Sequence, residues 1–491
     1  MATIDQHSEP GTVPTPIPLG KALDDAPMTR LHIRFWLLAA LGILLDGFDF
    51  FIIGVANPLV KEDFHVTSTQ VGLVSAAAIV GAVFGASLLG PLGDKIGRAR
   101  IFKYDLYLFV VFSVACIFAW NVWALIAFRF MLGLAIGLDY PLASSYLAEV
   151  LPSKKRGRWL TGAFSLQAAG ILLGAIAGVV FLELFPDLWA WRLLLGFGVV
   201  PAVIIIFLRR GVPESPRWLA QNGHEQEAKD VADRLSPVPV VVTPADTVKG
   251  EETPEGLKAL IQPQLFRRNL IRRTIFTAVP WFLMDIATYG VGIFTPTLID
   301  QILVKHPNTT FIADNIASTK ATAALDIFLP IGFAIAILLV DRVGRIPLQV
   351  VGFAVMALAL AILGAVEGLP GGGNAHLALV FVGFALFNTF MNAGPNATTF
   401  TLPAEVFPSS VRAAGCGFAA GTAKFGAALG VFLFPILQNS IGTSALLFII
   451  AGCCLVGLTV TMIFRIEPMG KSLEEISGAE LGSLKARPVP A

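Results

Sequence analysis

The sequence predicts an all-α membrane protein, with twelve transmembrane helices in two pseudo-symmetric six-helix halves. Three observations carry this. Apolar runs of about twenty residues, the length that spans a bilayer core, recur along the 491-residue chain; 55% of the residues are hydrophobic and 14% charged, against about 25% charged in a soluble domain. Only one long polar stretch interrupts them, from Gly211 to about Ile271. Two cassettes occur twice in the same order: L-G-D-K-I-G-R (Leu92 to Arg98) returns as L-V-D-R-V-G-R (Leu339 to Arg345), and A-E-V-L-P-S (Ala148 to Ser153) as A-E-V-F-P-S (Ala404 to Ser409). A repeat at half the chain length means two related halves.

Taken in order, residues 1–30 are polar and Pro-rich and read as a disordered cytoplasmic N-terminus. The first half, residues 31–210, holds six spans. The first begins near Ile33 and buries Asp46 and Asp49. The second, about Val71 to Leu92, is rich in small residues that let backbones approach closely. The third and fourth cover about Ile101 to Val150, the fifth about Leu160 to Leu184, and the sixth ends at Arg209 and Arg210. Residues 211–271 read as a cytoplasmic linker that opens with P-E-S-P-R-W-L and contains a short helical pattern around Glu225 to Leu235. The second half, 272–466, has spans near 272–303, 318–340, 347–366, 377–404, 412–438 and 442–465, followed by a polar tail, 467–491.

Basic clusters follow the second, fourth, sixth, eighth and twelfth spans, whereas the alternate loops hold only Lys61, Lys305 and Lys320. The positive-inside rule then places both termini in the cytoplasm, with the protein in the plasma (inner) membrane. A net charge of +1 gives no reason to expect a nucleic-acid partner. There is no G-x-x-x-x-G-K-[ST] phrase for ATP, no catalytic triad and no metal-ligand cluster. The four cysteines lie in apolar stretches as inert thiols. The expectation is a non-enzymatic monomer in a lipid bilayer, without a cofactor.

Ionisable residues inside spans are costly and usually face a wet cavity. Trp281, Asp285 and Tyr289 are four residues apart, so on a helix they share one face, read here as one wall of a substrate site. Lys424 lies inside the eleventh span, where it either serves the substrate site, as the positive charge the pocket otherwise lacks or as a partner of Asp285, or snorkels to the rim. Asp46, Asp49 and Asp139 are buried acids suited to carrying protons, with Arg129 a partner for one of them. Polar contact between helices is the plainer alternative for these acids. At the cytoplasmic side, Asp94, Arg98 and Glu149 in one half and Asp341, Arg345 and Glu405 in the other form a candidate gate of ion pairs that breaks on switching; simple topology-setting charge is the alternative.

The phrases G-D-K-I-G-R-A-R, D-R-V-G-R, P-E-S-P-R and A-E-V-F-P-S-S-V-R resemble the major facilitator superfamily near its sugar-porter branch, across nearly the whole membrane portion. Within the spans, G-L-D-Y-P-L-A-S-S (Gly137 to Ser145), F-S-L-Q-A-A-G-I-L (Phe164 to Leu172), W-F-L-M-D-I-A-T-Y (Trp281 to Tyr289), N-A-G-P-N-A-T-T-F (Asn392 to Phe400) and A-K-F-G-A (Ala423 to Ala427) are similar to the phosphate:proton symporters of fungi and plants. Leu138 and Ala404 replace family glycines. The resemblance implies the major facilitator fold, alternating access, and phosphate contacts at Tyr140, Gln167, Trp281, Asp285, Tyr289, Asn392 and Asn396. Symport of an organic acid or a sugar is the second expectation. A nutrient sensor is the third, disfavoured because the tail is too short for a signalling domain.

Overall fold

The repeated turns fold alike, and each opens a helix in the same way. Gly97 (φ +109°) precedes a helix over Arg98–Ile117, and Gly344 (φ +96°) precedes one over Arg345–Glu367. Glu214 accepts hydrogen bonds from the first backbone N–H groups of the former (Arg98 and Ala99), and Glu467 from those of the latter (Arg345 and Ile346). A Cβ at Gly97 would stand 2.5 Å from Glu214, so the left-handed backbone and the capping carboxylate both require glycine.

The structure is a computed structural model that describes residues 16–86, 96–153, 156–244, 246–247, 263–268, 270–302, 310–367, 369–370, 375–407 and 411–469. In chain order the helices are α1 (Leu19–Asp25), α2 (Arg30–Asp63), α3 (Ser68–Phe84), α4 (Arg98–Ile117), α5 (Val122–Val150), α6 (Arg156–Leu184), α7 (Ala190–Gly196), α8 (Val199–Leu208), α9 (Pro216–Gln221), α10 (Glu225–Leu235), α11 (Ile271–Ile302), α12 (Phe311–Asp326), α13 (Phe328–Val343), α14 (Arg345–Glu367), α15 (Leu377–Ala393), α16 (Pro395–Val406), α17 (Arg412–Ile441) and α18 (Thr443–Phe464). Strands β1 (Ile17–Pro18) and β2 (Val240–Val241) pair in parallel.

Among the described residues, ten helical stretches are long and apolar enough to cross a membrane. Helix α3 has 17 residues, and α4 carries Arg98, Arg100, Lys103 and Asp105 near its start; with these two, the twelve predicted spans are accounted for. The sixth is split into α7 and α8, the eighth into α12 and α13, the tenth into α15 and α16. Small residues let helices meet: a Cβ on Gly81 of α3 would lie 2.1 Å from the Phe130 carbonyl oxygen of α5.

Two expectations are corrected. Residues 17–25 were expected within a disordered terminus, yet they form β1 and α1 and dock on the linker. Gly20 N–H donates to Asp246 (3.2 Å), Arg217 pairs with Asp24 (2.7 Å), and Ser153 Oγ donates to the Asp24 carbonyl. The apolar side chains Leu19, Ala22 and Leu23 are buried there, a short apolar set inside a polar composition. The eighth span begins at Phe311 rather than near 318, because its first turns carry Asn315 and Ser318 and so look polar in sequence.

The linker and the spans next to it define one end of the molecule, the linker end. At the opposite, far end the two halves are in close contact. The halves meet along α2–α11, α3–α17, α6–α12 and α6–α13. A Cβ on Gly54 of α2 would lie 2.0 Å from the Ile293 carbonyl oxygen of α11, one on Gly72 of α3 2.4 Å from that of Phe432 in α17. Lys320 of α12 pairs with Glu183 of α6 across the same seam at 2.6 Å.

Candidate functional site

Between the halves, midway along the spans, lies a cavity of about 430 Å3, part of it continuous with solvent. The second half supplies Trp281, Asp285, Thr288 and Tyr289 from α11, Asn392 from α15, Asn396 from α16 and Lys424 from α17; the first half supplies Phe51, Phe164 and Gln167. The helical spacing on α11 therefore does what the sequence implied. Seven of the eight expected substrate residues line this one space. The eighth, Tyr140, belongs to the backbone of α5, and its side chain lies outside the described residues.

Lys424 is the pivot of the site. Its Nζ donates to Tyr289 OH at 2.6 Å and to Asp285 Oδ2 at 3.4 Å, and lies 4.4 Å from the Tyr289 ring centre. Gln167 Nε2 donates to the same phenol oxygen at 3.3 Å, across the interface between halves. Asn396 Nδ2 donates to Asn392 Oδ1, and Asn392 Nδ2 to the Asn388 carbonyl. The cavity thus presents an ammonium, a phenol, an indole and amides, all able to donate to an oxyanion, beside a single carboxylate. Aromatic rings bound it. Phe50 and Phe51 pack on Tyr289 towards the far end, while Phe164 stacks on Phe400 at 4.5 Å and Trp281 sits edge-on to Phe400 towards the linker end.

The acids of the first half were expected to face a shared central chamber, and the structure corrects this: of the four in-span acids named in advance, only Asp285 lines the cavity. Asp49 lies 3.7 Å from Arg129, whose Nε donates to the Val74 carbonyl. Asp139 pairs with Arg209 at 3.2 Å, and Asp105 lies 3.8 Å from the same guanidinium. Asp46 is within electrostatic reach of Asp105, Asp139 and Arg209. Arg209 is anchored by donating to the carbonyls of Leu38 and Phe102. All of these side chains are buried. Gly42 makes room for the group: a Cβ there would stand 1.9 Å from an Asp139 oxygen. A second cavity of about 300 Å3, lined by Phe35, Phe102, Tyr146 and Val212 among others, reaches Arg209 from the linker end.

Asp105 and Arg209 were missed in sequence for one reason. Each stands close to a basic rim, Asp105 after R-A-R-I-F-K and Arg209 in an Arg-Arg pair, where charge is expected for topology alone.

The expected gate pairs form, but each lies within one half. Arg98 pairs with Glu149, and Arg345 with Glu405 (2.8 Å) and Asp341 (3.1 Å). They staple neighbouring helices of the same half instead of bridging the two. Asp94 lies outside the described residues.

A polar cavity at the interface of two related six-helix halves is the arrangement of a membrane transport protein. A family model described as Sugar (and other) transporter matches residues 35–479, and the chain belongs to that family. It is 30% identical over 521 residues to "Inorganic phosphate transporter 1-6" of Oryza sativa subsp. japonica, covering 93% of this chain and 94% of the relative. It is 32% identical over 511 residues to "Probable inorganic phosphate transporter 1-10" of the same organism, covering 94% and 92%. Among solved structures, the partially occluded inward open conformation of the xylose transporter XylE from E. coli superimposes with a TM-score of 0.73 at 19% identity, covering 90% of this chain and all of that one. XylE is a structure of the major facilitator superfamily; bound to 6-bromo-6-deoxy-D-glucose, it gives a TM-score of 0.68 at 20% identity, with 91% and 98% covered. These likenesses establish the major facilitator fold.

Proposed function

We propose that the protein is a secondary active transporter that carries inorganic phosphate together with protons by alternating access. The observation that carries this reading is the Lys424–Tyr289–Gln167 chain of donors beside Asp285 in the central cavity. Lys424 supplies the positive charge an anion needs, and Tyr289, Gln167, Trp281 and the Asn392/Asn396 pair supply directional hydrogen bonds. Asp285 selects among anions. Dihydrogen phosphate has acidic hydrogens to donate to a carboxylate, and sulfate has none, so sulfate is repelled.

Protons are carried in the first half. Asp46, Asp105 and Asp139 share one guanidinium, Arg209. Three carboxylates on one cation in a dry interior leave excess buried charge, which is costly, and bound protons remove it. The second cavity gives this group a route to the linker end, which is cytoplasmic in this reading, as are both termini. Asp49 and Arg129 form a separate neutral pair beside it. The far-end seam is the closed outer side, and the Phe164–Phe400 stack is the thin inner gate. The protein works as a monomer in the plasma (inner) membrane, since one chain builds the whole cavity.

The test is uptake of radiolabelled phosphate into proteoliposomes. Accumulation driven by an inward proton gradient and abolished by a protonophore is expected; uptake indifferent to the gradient removes coupling, and absence of uptake removes phosphate. A sugar or organic acid is the second reading, favoured by the fold shared with a xylose transporter. A thermal-shift comparison of phosphate, sulfate, benzoate and hexoses separates the two: stabilisation by phosphate alone supports the first.

A further inference from the structure

We propose that Asp326 is a second proton-carrying carboxylate, placed in the substrate-binding half and reached from the far end along a polar face of α12. The residue ends α12, with Ile327 at the joint to α13. Ile327 and Ile331 are exposed on the outside of the bundle, whereas Asp326 is turned inward at 8% exposure. Asn315, Ser318, Thr319 and Thr322 are buried on the same helical face, at the spacing that stacks side chains along one stripe. The three hydroxyls donate to carbonyls of their own helix, at Asn315, Asn315 and Ser318, which leaves their oxygen lone pairs as acceptors. Neither amide atom of Asn315, 3% exposed, has a hydrogen-bond partner. Unsatisfied buried amide groups of this kind mark a place for water.

The stripe continues to the central cavity. Asn388 Nδ2 donates to the Leu325 carbonyl beside Asp326, and Asn388 in turn accepts from Asn392, which donates to it and lines the cavity. Asp326 differs from the other in-span acids discussed above, including Asp46, which has no cation in contact but lies within electrostatic reach of Arg209. Asp49, Asp105, Asp139 and Asp285 each lie within 4 Å of a guanidinium or ammonium. Among the described residues, Asp326 has no such partner. The ionisable side chains on the helices packed against α12 are engaged elsewhere or remote. Glu183 of α6 pairs with Lys320, and Arg158 lies at the opposite end of α6; Asp285 and Tyr289 of α11 hold Lys424, with Arg272 and Arg273 at the start of α11 and Asp300 at its end; Asp46 and Asp49 of α2 belong to the first-half groups, and the other ionisable residues of α2 stand at its two ends, Arg30, His32 and Arg34 at one and Lys61, Glu62 and Asp63 at the other; Asp341 and Arg342 stand at the opposite end of α13; α15 carries none. A buried carboxylate without a cation is tolerated by holding a proton. A polar stripe leading to it supplies the means of exchanging that proton, and its joint position lets bending between α12 and α13 change its access.

Two measurements on the full-length protein test this, and only the second rests on the phosphate reading. The first is an infrared difference spectrum, wild type minus Asp326→Asn, at pH 7 in detergent. A protonated carboxylic acid C=O band is expected; carboxylate bands alone would overturn the proposal. The second is the limiting phosphate accumulation in proteoliposomes under a one-unit pH gradient. Each coupled proton multiplies that ratio about tenfold, so Asp326→Asn should lower it about tenfold and Asp326→Glu should restore it. An unchanged ratio in Asp326→Asn excludes Asp326 from the coupled set. If Asp326→Asn fails to fold, the infrared test is made on wild type against Asp326→Glu, where a shifted acid band supports the proposal and its absence refutes it.

Discussion

The two halves share a scaffold down to the glycine-and-glutamate caps at Gly97/Glu214 and Gly344/Glu467, yet their interiors are built for different work. The first half packs Asp46, Asp49, Asp105 and Asp139 around Arg129 and Arg209, away from the central cavity. The second half puts one ammonium and one carboxylate, Lys424 and Asp285, in the cavity wall and leaves Asp326 alone on a polar stripe. Towards the cavity the first half offers Gln167 and aromatic rings, none of them charged. The symmetry is therefore one of scaffold, and the interiors are asymmetric: the charged groups of the cavity come from one half, while three of the acids crowd a single guanidinium in the other.

The largest effect that can break this contrast is at Lys424. Lys424→Met leaves Asp285 buried without its cation, a truncation that costs about 2–5 kcal/mol in comparable buried pairs. Phosphate affinity should fall by about thirtyfold or more, measured by equilibrium binding in detergent. Adding Asp285→Asn should restore thermal stability without restoring binding, because the positive charge is still missing. Next comes the far-end seam. Gly54→Ala puts a methyl group 2.0 Å from the Ile293 carbonyl oxygen, and overpacking of this kind costs about 1–3 kcal/mol. The variant should open the far end, read as faster thiol labelling of a cysteine introduced at Phe51. Unchanged labelling would show the seam to be looser than drawn.

A smaller effect is expected from the Gln167–Tyr289 hydrogen bond, which crosses the halves inside the cavity. Gln167→Ala removes a neutral donor to Tyr289, worth about 1 kcal/mol, and should raise the KM for phosphate about fivefold with little change in kcat. The smallest lies outside the membrane, at the strap formed by β1 and α1. Burial alone would raise the Asp246 pKa, but hydrogen bonds from the Thr243 hydroxyl and from the backbone N–H groups of Thr243 and Gly20 outweigh it and hold the carboxyl below its usual range. A depressed folded value means the stabilisation is complete above the unfolded pKa of about 3.9 and disappears as pH falls through the folded one. Amide protection at Ile17, Leu19 and Gly20, taken relative to the intrinsic exchange rate at each pH, should therefore be unchanged from pH 8 to 5 and fall only in stronger acid, whereas Asp246→Ala should lower it throughout.

Much of this was legible in the sequence, for physical reasons that also explain the remainder. The twelve spans follow from apolar run length, and the α11 face follows from the four-residue spacing of Trp281, Asp285 and Tyr289. Lys424 was visible as a charge inside a span, and the structure decides between the two expectations by joining it to Asp285. What sequence cannot supply is direction. Asp46 and Asp49, three residues apart, looked like one face, yet the first belongs to the Arg209 group and the second to Arg129. Asp105 and Arg209 were hidden by their basic neighbours. Asp326 lies one residue before an apolar run, where a helix-end acid carries no periodic signal. The gate residues were legible as opposite charges within each half, but charge alone does not say that they join neighbouring helices of that half and leave the interface between halves unbridged.

The central claim is that the acids gathered on Arg209 carry coupled protons without touching the anion, and act on it only through the movement between the halves. It is tested most directly by Asp139→Asn in proteoliposomes, comparing proton-driven phosphate accumulation with phosphate–phosphate exchange at equal pH on both sides. Accumulation should fall about tenfold or more under a one-unit pH gradient while exchange continues, because the cavity that holds the anion is untouched. Loss of both together, or retention of both, would contradict the division of labour between the halves.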